Sequence, residues 1–429
     1  MITNCLDRSM RFMKQRILVI SNDCFSESSS NGRTLGNLLI GWPKDKLAQF
    51  YLNTTTPSLK YCNSYYQVSD IDVIKYTLHC KKHSDSSTTK EGKEGSSSSS
   101  VKRNALTMLI RNAIWSLGAW KKAGFYQWVD SFHPQIVLLQ AGDCPFMYDL
   151  AVSVSKRFDA KLIIYNSEGY YFKNYDYFRS KGIAHLLYPV FSKILKNSLE
   201  KAYRISETIV YSCEDLKEEY SKVFSNQGEV VYISSSMECL PIPMDHERCI
   251  VSYCGNLGIN RHKSLIELAN VLHSINETLK LDVYGIIPNN QVKEELLACP
   301  SVCYKGFVSY EEVKNVMKQS DIIVHAESFD DFYVEDIRFG FSTKIADCLA
   351  TGKCFLVYAP ESLACSKYLK KYEAAYVASN LIELTHILDT LVNKKSERLK
   401  YADRALKVAN KNHSFEKNAE RFKNILLNM

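Results

Sequence analysis

The sequence predicts an α/β protein built from two consecutive domains, each a parallel sheet wrapped by helices. Three observations predict it. Short apolar runs alternate with helix-length segments, the same pattern restarts near residue 248, and 429 residues suit two cores of roughly 150 to 200 residues each better than one.

Arg16 to Ser21, RILVIS, reads as a buried strand, followed by the loop SESSSNGR and a helical pattern, LGNLLIGW. Further strands are expected at QIVLLQ (135–140), KLIIYN (161–166) and ETIVYS (207–212). Residues 81–103 are polar and low in complexity, and are expected to form a surface loop because strand and helix patterns resume beyond them. The second domain opens with RCIVSYCGNLGINRHKSLIELANVL (248–272), a strand, a glycine turn and a helix. Strands follow at 281–285, 301–307, 321–327 and 354–360. The two prolines of PIPMD near 241–245 mark a hinge. From about Glu397 a long polar helical pattern ends the chain. The expected domains are thus 1–243, 244–400 and a closing segment at 401–429.

Composition narrows the function. Lys and Arg number 54 against 47 acidic residues, a net charge of +7, which is scattered and carries no nucleic-acid-binding module. Anionic small molecules or a membrane surface suit that charge. The 14 cysteines form no C-x-x-C and are expected to be reduced thiols of a cytoplasmic protein. The first 15 residues lack the apolar core of a signal peptide, and no run nears the roughly 20 apolar residues that span a bilayer.

Two turns carry the chemistry. In GNLGINRHK (255–263), Gly255 and Gly258 free the backbone after a strand, Asn256 lies between them, and Arg261 and Lys263 offer cations. In FSTKIADCLATGK (341–353), Ser342 and Thr343 start a helix and Lys344 puts a cation where the helix dipole is already positive. That placement is costly unless an anion is shared with the helix N–H groups. Arg261 and the Ser342–Lys344 start could hold one diphosphate between them, with Asp347 one turn on to accept from ribose hydroxyls. The other reading of Asp347 is an ordinary solvated helical carboxylate. The FDDF at 329–332 is read as solvated loop aspartates and not as a metal pair.

GNLGINR, KGFVSYEEV (305–313) and FSTKIADCLATGK together resemble the donor-binding domain of family 4 glycosyltransferases, the retaining GT-B enzymes, particularly bacterial ones that build capsule or lipopolysaccharide. The resemblance runs over nearly the whole chain and is densest over 248–360; RILVIS and the Gly32 loop match the family's opening strand and glycine loop. It implies a GT-B fold, two Rossmann-like domains facing a cleft, with the C-terminal helix crossing back to the first. It implies a nucleoside diphosphate sugar as co-substrate, no cofactor and no metal, and a glycan or lipid-linked glycan as acceptor. Arg261 matches the phosphate-binding position, Ser342, Thr343 and Lys344 the helix-start contact, and Asp347 the second Glu of the E-x7-E pattern. Phe307 and Val308 match the strand end beside the base. The chain departs from the pattern at Phe339, where the first Glu is expected; that contact is lost, or supplied by Glu327 or Glu335. Asn256 also stands where many members have Arg.

On the acceptor side, Gly32, Arg33, Asp143 and Glu168 lie in loops that follow predicted strands. Asp143 either accepts the acceptor's proton or shapes the pocket. Two basic, apolar segments, 104–129 and 182–204, pack on the sheet or set their lysines and aromatic residues on the inner face of a membrane. Two other functions compete: a catalytically silent GT-B subunit, for which the missing first Glu speaks, and a sugar-nucleotide epimerase of similar architecture.

Overall fold

The computed structural model describes residues 15–27, 30–53, 55–78, 103–225, 228–239 and 249–428. Most of the low-complexity stretch, the PIPMD segment expected as a hinge, and most of the first 15 residues lie outside them. The chain divides into two compact units, Met1–Val231 with Ala419–Met429, and Tyr232–Asn418.

Among the described residues, the first unit holds seven strands, β1 (Ile17–Ser21), β2 (Leu47–Tyr51), β3 (Ser64–Gln67), β4 (Ile136–Gln140), β5 (Lys161–Asn166), β6 (Thr208–Tyr211) and β7 (Gly228–Val230). They form one sheet in the order β3-β2-β1-β4-β5-β6-β7, with every pair parallel. Its central strands are continuous apolar runs because helices cover both faces; every residue of β1 and β4 is buried. Ile17, Val19, Leu138 and Ile163 form the core with Leu35 from the helix Ser30–Leu38. Phe422 and Leu426 from the last helix, Phe415–Leu427, join the same cluster.

The second unit holds β8 (Val251–Cys254), β9 (Leu281–Tyr284), β10 (Val302–Gly306), β11 (Ile322–Ala326), β12 (Cys354–Tyr358) and β13 (Tyr376–Ala378), all parallel, in the order β10-β9-β8-β11-β12-β13. The helix Arg261–Ile275 presses Leu265, Leu268 and Leu272 onto Val251, Val283 and Val324. In both sheets the strand order reverses, between β1 and β4 and between β8 and β11. Such a switch opens a crevice at the carboxyl ends of the strands, where ligands bind in open α/β sheets.

Three features differ from expectation. The first helix begins at Ser30 and ends at Leu38, earlier than LGNLLIGW suggests. Strands β2, β3, β7 and β13 are additional. The polar pattern after Glu397 is not one helix: it runs as Ala402–Val408, a π-turn at Ala409–His413 and Phe415–Leu427. The break has a cause. His413 is 1% exposed, its Nδ1 lies 2.7 Å from the Ile233 carbonyl, and Ser235 donates its N–H to the His413 carbonyl.

Candidate functional site

In the second unit, the loops after β8, β9 and β11 converge. Gly255 donates its N–H to the Tyr284 carbonyl at 2.8 Å, and a Cβ on Gly285 would stand 1.7 Å from the Gly255 carbonyl oxygen. Only glycine at 285 permits that approach. The turn then passes through Ile259 and Asn260, both left-handed at φ 52° and 59°. A β-branched residue there is strained by on the order of 1–3 kcal/mol, the kind of outlier that gathers at ligand sites. Asn256 shapes the turn by accepting from the Gly258 N–H at 2.7 Å.

Arg261 opens the helix Arg261–Ile275, which has no side-chain cap and no acid in its first turn. Its guanidinium makes a two-point ion pair with Glu327, just past β11, at 2.7 and 3.1 Å. Ser264 donates to the Glu327 carbonyl at 2.7 Å, tying this helix to the strand end. His325 Nε2 lies 3.1 Å from Glu327 Oε1 without the alignment of a hydrogen bond. Burial works to raise the Glu327 carboxyl, but Arg261 and His325 outweigh it and hold the carboxyl at about 2. Burial lowers His325, while the Glu327 carboxylate works to raise it.

Lys344 reaches this cluster from the helix Thr343–Ala350. Its Nζ donates to the Tyr253 hydroxyl at 3.2 Å and lies 4.8 Å from that ring's centre. A Cβ on Gly255 would fall 2.1 Å from the same Nζ. Among the described residues Lys344 has no carboxylate partner, whereas Arg261 is neutralised by Glu327. Ser342 is the N-cap residue but makes no side-chain cap bond, and the first turn, Thr343 included, carries no acid. Asp347 is 6% exposed and accepts from Ser235 at 2.6 Å and Tyr310 at 3.2 Å. It is therefore not a solvated helical carboxylate. Phe307 stands 70% exposed beyond β10, with Val308 half-buried beside it and Ile286 58% exposed beyond β9.

Of the two carboxylates weighed as substitutes for the first Glu, Glu327 joins Arg261. Glu335 is half exposed and lies 3.8 Å from Arg338. Asp330 of the FDDF stretch caps the helix Asp331–Ile337 by accepting from the Phe332 N–H. Sequence reasoning missed Tyr253, His325 and Ser235. The H-A-E ending of an otherwise apolar strand was the available signal for His325 and Glu327.

In the first unit, Gly32 packs against the Cys24 and Ser26 backbone at the end of β1, with Arg33 half-buried beside it. Asp143 follows β4 and is 5% exposed. It pairs with Arg103 and accepts from the Tyr177 hydroxyl at 3.3 Å. Burial raises the Tyr177 hydroxyl well above its usual range, so it remains a donor. Glu168 follows β5 and is half-buried; its N–H donates to Asn166 Oδ1 at 3.1 Å and its carbonyl accepts from Tyr220.

The profile of the family described as glycosyl transferase-like matches residues 261–424. No curated protein matches the sequence. Among solved structures, HepE from Anabaena, in complex with UDP, is similar at 9% identity and a TM-score of 0.64, covering 97% of this chain and 100% of its own. A sucrose-phosphate synthase from Thermosynechococcus elongatus is similar at 10% identity and 0.65, over 96% and 98%. The lipopolysaccharide outer core galactosyltransferase WaaB is similar at 13% identity and 0.58, over 95% and 99%.

Proposed function

This chain has the GT-B fold and matches a glycosyl transferase-like family over residues 261–424, and on that premise we propose a retaining, metal-independent glycosyltransferase that moves a sugar from a nucleoside diphosphate to a glycan or lipid-linked glycan in surface polysaccharide synthesis. The observation that carries the proposal is the meeting of Lys344, without a carboxylate partner, and Arg261 at two helix starts beside the glycine turn. A diphosphate fits there: its oxygens take up the Lys344 charge, the Arg261 N–H groups and the helix dipoles. Gly255, Asn256, Ser342 and Thr343 line this donor position. Phe307 and Val308 flank the base, and Ser235 and Tyr310 orient Asp347 toward the ribose. Since HepE is in complex with UDP-glucose in one of its structures, uridine diphosphate sugars are the first donors to try.

In this reading the sugar–phosphate bond breaks and negative charge grows on the departing phosphate oxygen. Lys344 and Arg261 stabilise it. Gly32, Arg33, Asp143 and Glu168 serve the acceptor; Asp143, already engaged by Arg103 and Tyr177, positions the acceptor rather than acting alone as base.

A second reading is favoured by the Arg261–Glu327 pair, which neutralises the phosphate-facing guanidinium: a silent subunit that binds nucleotide sugar without turnover. Binding and hydrolysis of a panel of nucleoside diphosphate sugars decides. Binding with slow hydrolysis that gives the retained anomer supports the transferase; binding with no turnover, with or without candidate acceptors, supports the silent subunit. No binding of any donor removes both.

A further inference from the structure

One face of the first unit carries apolar side chains in the open. The helix Ala105–Leu117 buries Ala105, Met108 and Trp115 and turns Leu106, Ile110 and Leu117 outward at 39, 51 and 68% exposure. The helices Ile183–Leu186 and Tyr188–Ile205 pack against it and add Ile183, Leu186 and Val190 at 72, 75 and 49%. The spacing puts each trio on one stripe of its segment. Six large apolar side chains on three adjoining helices are more than the scattered singles of an ordinary surface.

The charge around them selects the occupant. Residues 103–128 contain Arg103, Arg111, Lys121 and Lys122 and no carboxylate; residues 177–205 contain Arg179, Lys181, Lys193, Lys196, Lys201 and Arg204 against Glu200. The whole chain, by contrast, has 54 basic and 47 acidic residues. Arg103 and Arg111 pair with Asp143 and Asp70 from elsewhere in the unit. Lys122, Lys181 and Lys193 are exposed and have no carboxylate partner among the described residues.

We infer that this face lies on an anionic lipid bilayer. The apolar stripes enter the acyl boundary, and the lysines reach the phosphates with their stems along the same surface. A bilayer supplies an apolar layer and anions together, which matches exposed apolar side chains and exposed lysines on the same segments. The inference is independent of the donor site, which lies in the other unit.

Flotation of the full chain with phosphatidylcholine vesicles, with and without phosphatidylglycerol, tests it. The chain should float with the anionic vesicles and not with the neutral ones, and salt should weaken the binding. The double variants Ile183→Ser/Leu186→Ser and Lys181→Glu/Lys193→Glu should each lower the bound fraction by about tenfold or more. Their melting temperature and donor binding should match wild type, because all four side chains are exposed and outside the donor site. Equal binding to both vesicles, binding to neither, or variants that float like wild type would overturn the inference. So would a concentration-dependent dimer that Ile183→Ser/Leu186→Ser abolishes, since a second copy would then own the face.

Discussion

The Arg261–Glu327 pair separates stability from ligand binding, because its two halves should respond in opposite ways. Arg261→Ala leaves a carboxylate that is 6% exposed without its main partner. Holding Glu327 at about 2 against an ordinary 4.5 corresponds to about 3 kcal/mol, at the low end of the roughly 3–5 kcal/mol seen when a buried pair is broken. For a unit spanning Tyr232–Asn418, at about 2–4 °C per kcal/mol, the melting temperature should fall by roughly 6–12 °C. Because the folded pKa lies below the unfolded one, this stabilisation is full above pH 4.5 and is lost as pH falls toward 2. Glu327→Gln keeps an oxygen for one Arg261 N–H and should cost only about 1–2 kcal/mol. It also uncovers the Arg261 charge, so uridine diphosphate should bind more tightly than to wild type, whereas Arg261→Ala should bind far more weakly. Calorimetric titration with uridine diphosphate beside thermal melts reads both quantities. The reasoning fails if Glu327→Gln weakens binding as Arg261→Ala does, or if Arg261→Ala leaves the melting temperature unchanged.

Lys344→Ala should lower diphosphate affinity by about 10- to 100-fold, the loss of a charge-assisted contact, while moving stability by less than about 1 kcal/mol, since its contact with Tyr253 and its poor place in the helix dipole offset each other; titration and melting curves check it. Gly285→Ala should destabilise the second unit by more than about 3 kcal/mol and abolish donor binding, because its Cβ cannot coexist with the Gly255 carbonyl; denaturant unfolding would show this. Asp143→Asn should leave uridine diphosphate binding intact, because Asp143 and the donor residues belong to different units, and reduce transfer; a titration paired with a turnover assay tests that split. Burial lowers His413 from 6.5 to about 4. Its stabilisation is therefore full above pH 6.5 and lost as pH falls toward 4, by about 3 kcal/mol, and His413→Gln should flatten unfolding free energy across that range.

The central strands were legible because strands covered on both faces read as unbroken apolar runs, as ILVIS, IVLLQ and CFLVY do. The strands that escaped were short or interrupted. In β2, LAQFY, the buried Gln49 breaks the apolar run, and its amide is used to donate to Ser21 and accept from the Phe25 N–H. At β3 only half-buried and exposed residues stand, so no pattern distinguishes it from a loop. In the site, a helix start that carries a cation could be read from residue order alone, which placed Lys344; Arg261 was legible as a cation of the glycine turn, and the structure makes it the first residue of the following helix. The partners of those cations could not. Glu327 lies 66 residues from Arg261 and Tyr253 lies 91 from Lys344, and strand order is what brings them together. Asp347 was legible as a residue facing the ribose or as a solvated one; its acceptance from Ser235, 112 residues away, depends on the chain returning through Tyr232–Met237.

A crystal structure of the protein with uridine diphosphate tests the central claim most directly. The diphosphate should lie within hydrogen-bond reach of both Lys344 Nζ and the Arg261 guanidinium, with the base against Phe307. A nucleotide bound elsewhere, or an unchanged Lys344–Tyr253 contact with no nucleotide at saturating concentration, would contradict it.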